Sequence, residues 1–444
     1  MRHTLLTLLL AVAASASAQQ AFTLQQCIDT ALVNNRSLQN AALEITASRE
    51  QSKEAYTKYF PQISANVTAF RCFDKIVKGD GTIPAEIAAL GEPFTAFAGM
   101  PFSYSELNRG YGAVLSVMEP IYAGGQITTG NKLARLGEEV STLQQQLKEK
   151  EVTEKITENF WQIATLKYNL RTIAAAEKQI DAVMQQVQNF VDAGVTTSNA
   201  LLQVKLRKQE LASSRLKLEN GEHLLLMLLE QQIGRKGKSA AFDILLPEES
   251  SPSLPEHTYS VDNRQELQLA AKGVEAQELQ LKMTRGKMLP TVAVGVMGYN
   301  VGIGGFSENV KSNIRTNMTN GLVMGTIAIP ISEWWGGTHA IRRQKAKIEE
   351  SRNTLLDARE QLAIDNESAW CNLQEAYKQI GIAETSVAEA EENLRMQTEQ
   401  YRAGVITITD LLDAETLNRK TLDQLSSARA AYQIALKKYE LKTR

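Results

Sequence analysis

Two long stretches of this 444-residue chain carry apolar residues at mixed spacings of three and four. The first runs from Gln126 to about Phe190, with Leu133, Leu136, Val140, Leu143 and Leu147, then after a phase slip Val152, Ile156, Phe160, Ile163, Leu166 and Leu170. This is the seam of a coiled coil, an apolar stripe that stays on one helix face. Thr338 to about Gln400 behaves alike, and no proline interrupts either stretch. At about 1.5 Å per residue each helix reaches roughly 100 Å. Both end at Ala-Gly, 193–194 and 403–404, where glycine accepts the left-handed cap conformation. Return helices are expected from Thr196 to near Gly234 and from Thr407 to near Thr443. The two long hairpins are therefore unequal, each return helix being little more than half its partner. Helices expected over Thr23–Tyr59 and Asp262–Met288 could stack end to end with the return helices and cover the remainder.

Between the helices the period drops to near two, over Gln62–Phe70, Tyr111–Tyr122, Thr291–Tyr299 and Gly321–Ile331. Strands of about ten residues cross a bilayer when tilted, and Tyr111, Ala113, Leu115 and Val117 supply an apolar stripe suited to lipid. In the second pair of strands the alternation is blurred. Four strands cannot close a barrel, and an open edge in lipid leaves backbone groups unpaired at several kcal/mol each. Several copies must close it together: two copies would give eight strands and a filled interior, three would give twelve and a passage. The connections Arg71–Gly110 and Asn300–Asn320 read as long outward loops, the first with an Ala-rich piece at Ala85–Leu90 that suggests a helical turn or two.

The chain also repeats itself. Asn35–Pro61 aligns with Arg264–Pro290 at one constant offset, matching Leu38 to Leu267, Ala47 to Ala276, Lys53 to Lys282 and Pro61 to Pro290. Pro120-Ile121 with Gly124-Gly125 recurs as Pro330-Ile331 with Gly336-Gly337, and Ala193-Gly194-Val195 with Leu201-Leu202 recurs as Ala403-Gly404-Val405 with Leu411-Leu412. The spacing is far too long for a solenoid and describes two similar units in tandem. The division is a first repeat over 19–233, a connector over 234–261 with a strand-like piece at Ala241–Leu246, and a second repeat over 262–444. The connector is expected to form a girdle midway along the helices. Ahead of the first repeat, Arg2 and His3 precede an apolar run from Leu5 to Ala14 and the small-residue site Ala16-Ser17-Ala18. Residues 1–18 read as a signal peptide cleaved before Gln19. The nearest cysteine beyond that point is Cys27, so no lipid anchor is expected.

Charge and chemistry narrow the picture. The formal net charge is −2, without a basic footprint, which removes nucleic acid as a partner. Cys27, Cys72 and Cys371 form neither a disulfide framework nor a zinc pattern, and His3, His223, His257 and His339 have no metal-ligand spacing. Gly237-Lys238-Ser239 resembles the end of a phosphate loop, but the glycine required earlier is Gln232. No catalytic site, cofactor or metal is expected.

In combination the residues resemble the TolC-like outer-membrane efflux proteins over essentially the whole mature chain. The resemblance rests on Thr23-Leu24-Gln25-Gln26-Cys27-Ile28 with Ala31-Leu32 and Asn34-Asn35, and on Tyr59-Phe60-Pro61-Gln62 entering the first strand. It rests further on Glu119-Pro120-Ile121-Tyr122-Ala123-Gly124-Gly125 leaving the second strand, and most strongly on Tyr401-Arg402-Ala403-Gly404 with Asp410-Leu411-Leu412-Asp413-Ala414. The family implies a mainly α fold with membrane β: a homotrimer whose four strands per chain make a twelve-stranded outer-membrane barrel, continued by a periplasmic α-barrel of long coiled coils. It implies an exit channel of a tripartite efflux or type I secretion system, docked to a periplasmic adaptor and an inner-membrane pump. A periplasmic coiled-coil structural or adaptor protein is the alternative, and it would lack paired lipid-facing strands.

The resemblance also implies site residues. The aspartate rings at the family's pore constriction match Asp410 and Asp413, whose crowding in a trimer would favour cations and raise some of their pKa values. Gly194, Val195, Leu201, Gly404, Val405 and Leu411 lie at the hairpin tips where an adaptor would land. Tyr122, Trp334 and Trp335 follow strand ends, as interfacial aromatics do. One departure stands out. The aspartate and arginine that hold the family's closed tip match Ala200 and Ile406, although the tyrosine survives as Tyr401. The resting state is therefore expected to be closed by packing, or held less firmly.

Overall fold

A computed structural model of the protein describes residues 21–73, 81–92, 94–102, 108–235, 242–247, 251–257, 260–307 and 312–443; the expected signal peptide lies outside them. The first repeat begins with β1 (Ala21–Phe22), α1 (Leu24–Asn34), α2 (Arg36–Tyr56) and β2 (Gln62–Arg71). Two short strands, β3 (Gly81–Thr82) and β4 (Pro101–Phe102), precede β5 (Arg109–Ala123) and the hairpin of α3 (Gln126–Asp192) and α4 (Ser198–Gln232). After β6 (Asp243–Ile244), the second repeat runs α5 (Gln265–Gly286), β7 (Thr291–Ser307), β8 (Ser312–Ala328), α6 (Glu333–Arg402) and α7 (Ile408–Thr443). The order helix, two strands, long hairpin thus occurs twice. The compact units are not the two repeats, however: one takes in Met1–Ile45, Val140–Ala271 and Thr354–Arg444, the other Thr46–Glu139 and Lys272–Asn353, so each draws on both.

In the helical unit, α1 opens with a capping box in which Thr23 and Gln26 satisfy each other's backbone N–H groups. Its Cys27, Ile28 and Ala31 pack on Val152, Ile156, Phe160 and Ile163 of α3, the seam read from the sequence, and on Leu229 of α4. Burial pushes the Cys27 thiol up to about 12, so it packs as a small apolar side chain. The helix expected over Thr23–Tyr59 is broken at Asn35, whose backbone is extended (φ −65°, ψ 125°). The cause is local hydrogen bonding. Asn35 Oδ1 accepts from the N–H of Ser37 (2.8 Å) and Leu38 (3.3 Å) and so caps α2. Its amide donates to the carbonyl of Gln232 (2.6 Å), joining the end of α4 to the start of α2. End-to-end stacking is thus present in the first repeat, stitched by one asparagine.

The second repeat places Arg264 where the first has Asn35. Arg264 reaches Asp365 of α6 at 3.0 Å, and Lys442 at the end of α7 reaches the other Asp365 oxygen at 2.6 Å. Although burial favours the neutral acid, hydrogen bonds from Lys442 and Arg264 hold Asp365 below the usual carboxylate range. Leu373 and Ile380 of α6 pack on Tyr432 and Tyr439 of α7, and the Tyr432 hydroxyl donates to the Ser253 carbonyl at 2.5 Å. The connector therefore lies on α7. Of its expected strand, only Asp243–Ile244 is strand among the described residues, pairing in parallel with Ala21–Phe22.

The other unit holds an antiparallel sheet in the order β2-β5-β7-β8. The strands β7 and β8 are longer than the sequence suggested, and most of the expected loop Asn300–Asn320 is strand. The Asn300 amide bridges to Asn317 (3.0 Å) and Thr319 (2.6 Å) across the pair, while Gly302, Gly304 and Gly305 erase the apolar alternation that marks a strand. Within the expected loop Arg71–Gly110, Ile83, Ile87, Phe94 and Phe97, on 3-10 turns and beside β3, pack with Val301 into a small core. No described helix is long and apolar enough to cross a membrane.

Candidate functional site

The hairpin tips are built alike. Gly194 (φ 72°) and Gly404 (φ 73°) end α3 and α6 in the left-handed region that favours glycine. The N–H of Gly194 bonds Val191 and that of Val195 bonds Phe190; likewise Gly404 bonds Tyr401 and Val405 bonds Gln400. These paired bonds are the Schellman arrangement, which satisfies the carbonyls a helix leaves open at its end. Beyond each cap stands an apolar side chain in the open, Val195 at 72 % and Val405 at 73 % exposure. Leu201 is half-buried, whereas Leu411 is fully inside a cluster with Ile408, Leu412 and Val204. The structure thus brings the predicted tip residues together but leaves Leu411 inaccessible to any partner.

The return helices begin differently. Asp410 accepts from the N–H (2.9 Å) and hydroxyl (2.6 Å) of Thr407, whose oxygen in turn accepts from the Asp410 N–H (3.3 Å). This reciprocal cap holds the exposed Asp410 carboxylate below its usual range through the Thr407 hydroxyl and N–H. In α4 the corresponding Thr197 makes no side-chain cap: the Ala200 N–H bonds the Thr197 carbonyl (3.0 Å), and alanine has no carboxylate to return a bond as Asp410 does. Asp410 and Asp413 are both exposed, on the face opposite the buried Ile408, Leu411 and Glu415.

Tyr401 is buried against Phe190, ring centroids 6.3 Å apart, and burial pushes its hydroxyl pKa up. No hydrogen bond among the described residues involves that hydroxyl. Tyr401→Phe is accordingly expected to leave single-channel conductance unchanged in planar bilayers, and a clear rise in conductance would restore Tyr401 as a polar latch.

Sequence reasoning missed a polar clamp just behind the tips. Arg207 of α4 reaches Glu415 of α7 with Nε and Nη2, both at 3.2 Å, and Nη2 also donates to Thr416 at 2.6 Å. Glu415 is only 4 % exposed and its Oε1 has no partner. A signal existed: Glu415 falls in phase with Ile408 and Leu411, where a charge is unexpected.

The sheet has two unlike faces. On one lie Ile63, Ala65, Val67 and Ala69 of β2, Tyr111, Ala113, Leu115 and Val117 of β5, Val294 and Val296 of β7, and Val323 and Ile327 of β8. The large side chains among them are exposed, Val67 at 77 %, except the half-buried Val117. On the opposite face β2 is polar, with Gln62, Ser64, Asn66 and Thr68 and a Ser64–Ser116 hydrogen bond of 2.7 Å, whereas β5, β7 and β8 mix in Val114, Met118, Met297, Leu322 and Met324. Its outer rows, Phe70, Tyr299, Ile303 and Met318, lie against the Ile83–Phe97 core. Both outer strands, β2 and β8, have one side unpaired among the described residues.

Aromatic side chains gather where the apolar face ends. Tyr122 lies within the last turns of β5, past a register shift at Pro120, and is exposed. Trp334 and Trp335 are not on the segment after β8 as expected but in the first turn of α6, which starts at Glu333 rather than Thr338. Trp334 Nε1 donates to the Met288 carbonyl (2.9 Å), and Gly337 lets Met288 pack where a Cβ would clash with its sulfur. Tyr56, Tyr59 and Phe60, which pack on one another, add three exposed rings not anticipated from the sequence.

Comparison with curated protein sequences gives no match. Residues 260–438 match the model of the outer membrane efflux protein family. Among solved structures, the outer membrane protein VceC from Vibrio cholerae superposes with a TM-score of 0.72 at 16 % identity, covering 95 % of this chain and 96 % of that one. The Campylobacter jejuni CmeC outer membrane channel gives 0.74 at 12 % identity, covering 95 % and 85 %. The open-state Neisseria gonorrhoeae MtrE outer membrane channel gives 0.71 at 15 % identity, covering 95 % and 88 %. The second repeat is thus similar to the outer membrane efflux protein family, and the chain shares its fold with these outer membrane channels along nearly its whole length.

Proposed function

We propose that this chain is one protomer of a homotrimeric outer-membrane exit channel, serving a tripartite efflux or type I secretion assembly with a periplasmic adaptor and an inner-membrane pump. One observation carries the reading: a four-stranded sheet whose outer strands are each unpaired on one side among the described residues, with exposed apolar side chains from all four strands on one face and a run of polar residues along β2 on the other. Open edges in lipid are untenable, so further copies must pair with β2 and β8. Three copies give twelve strands, enough for a polar passage. Helices of about 100 Å, α3 and α6, have the length that a conduit to a pump requires. The same sheet counts against a periplasmic coiled-coil adaptor, which has no use for a lipid-facing surface. The test is to separate inner from outer membranes on a density gradient, extract in mild detergent and weigh the complex by light scattering. A trimer from the outer membrane fits; soluble or inner-membrane material overturns the reading.

At the tips, Asp410 and Asp413 of three chains would line the constriction, facing one another from the exposed side of α7. Their charges would attract cations and slow anions. Replacing both with asparagine is expected to reduce the cation-to-anion permeability ratio several-fold, measured as the reversal potential in a salt gradient. An unchanged ratio would move the constriction elsewhere.

A further inference from the structure

Three arginines from three strands occupy one row of the sheet. Arg71 of β2 stands opposite Arg109 of β5, Arg109 opposite Gly304 of β7, and Gly304 opposite Arg315 of β8. Directly opposed residues share a face, and this row belongs to the apolar face, two positions beyond Ala69, Tyr111 and Asn317. With strands about 4.8 Å apart, the row is about 14 Å wide. Gly304, which is buried, places no side chain of its own between Arg109 and Arg315. Arg71 and Arg315 are exposed and Arg109 is half-buried. No carboxylate among the described residues pairs with any of the three; Arg109 donates to Asn313 at 3.1 Å.

Three neighbouring cations repel one another, and nothing in the described protein offsets the charge. An anion would. All three are arginine rather than lysine, and the planar guanidinium fork matches phosphate oxygens two at a time. The position of the row says where that phosphate comes from. From Ile63 to Arg71 the strand runs about 27 Å, which at a barrel tilt of about 40° is about 21 Å along the membrane normal, near the outer end of the apolar band of about 25 Å that an outer-membrane barrel presents to lipid. The row therefore begins where acyl chains end and headgroups start. Tyr111, whose ring covers Gly302, adds an amphipathic side chain one row inside it, as at a membrane interface.

We propose that Arg71, Arg109 and Arg315 form a binding row for the phosphate groups of an outer-leaflet glycolipid. The proposal rests on the outer-membrane reading and assigns this surface its lipid. The test uses the purified full-length trimer in detergent, titrated with bisphosphorylated lipid A and followed by native mass spectrometry. R71Q/R109Q/R315Q is expected to hold the lipid about tenfold more weakly than the wild type. R71K/R109K/R315K, which keeps the charges, should bind more tightly than the glutamine variant, and lipid A stripped of its phosphates should bind the wild type no better than the glutamine variant binds the intact lipid. Equal retention by the glutamine variant and the wild type overturns the proposal. So does displacement of the lipid by equimolar inorganic phosphate, which would make the row a small-anion site. Gradient fractionation separates the two claims: a wild type absent from the outer membrane sinks the channel reading, whereas an outer-membrane trimer with unaltered lipid binding sinks the arginine row alone.

Discussion

Leu115→Arg is expected to abolish assembly in the outer membrane, while Ser116→Arg, one residue along, leaves assembly largely intact. Leu115 sits in the middle of the apolar face, 54 % exposed, on a strand paired on both sides. An arginine near the bilayer midplane of a β-barrel costs about 2–4 kcal/mol. In a barrel of three identical chains that cost is incurred three times over. Ser116 points to the other face, where its hydroxyl meets Ser64 at 2.7 Å. Losing that bond costs about 1 kcal/mol, and a long charged side chain on a polar, watered face is otherwise tolerated. The comparison is read as the fraction of each variant recovered as trimer from the outer-membrane band. Equal recovery of both would show that the apolar face does not meet lipid.

Arg207→Ala should loosen the packing of the two hairpins more than truncating any exposed tip residue. It leaves the Glu415 carboxylate buried, with one oxygen already unpartnered and the other stripped of its cation. Removing one partner of a buried ion pair costs about 3–5 kcal/mol, because the remaining charge is desolvated and uncompensated. Arg207 is 14 % exposed at its side chain, so some water can reach it, and the lower end of that range is expected. Replacing both residues, R207M/E415M, removes the charge and the pair together and should recover most of the loss. Amide hydrogen exchange over residues 408–420 provides the readout. At about 3 kcal/mol the exchange of those amides quickens by more than about a hundredfold if opening is local. Exchange in Arg207→Ala that matches the wild type would show that the clamp contributes nothing to the tip.

Both predictions depend on interactions that differ in how far they could be read in advance. Periodicity is a local property, and local properties determined the elements. Leu133 to Leu170 marked α3, Ala-Gly at 193–194 and 403–404 marked both tips to the residue, and Tyr111 to Val117 marked the face of β5 that carries the apolar stripe. The internal repeat likewise foretold the order of helices and strands, since a duplicated sequence repeats its local preferences.

What tertiary structure decided is every matter in which a residue's role depends on a partner distant in the chain. Asn35 breaks its helical run by a local cap, but that its amide also ties α2 to the Gln232 carbonyl at the end of α4 exists only in the fold. Gly302, Gly304 and Gly305 read as loop, yet they are strand because β8 pairs with all three and β5 with Gly302 and Gly304. Glu415 is an acid on the apolar stripe, unexplained until Arg207, on the other repeat's return helix, is brought against it. The three arginines are far apart in sequence, and only strand register brings them into one row. Helix and strand propensity act over a few residues and are written in the chain; register, burial and charge pairing act across hundreds of residues and exist only once the chain has folded.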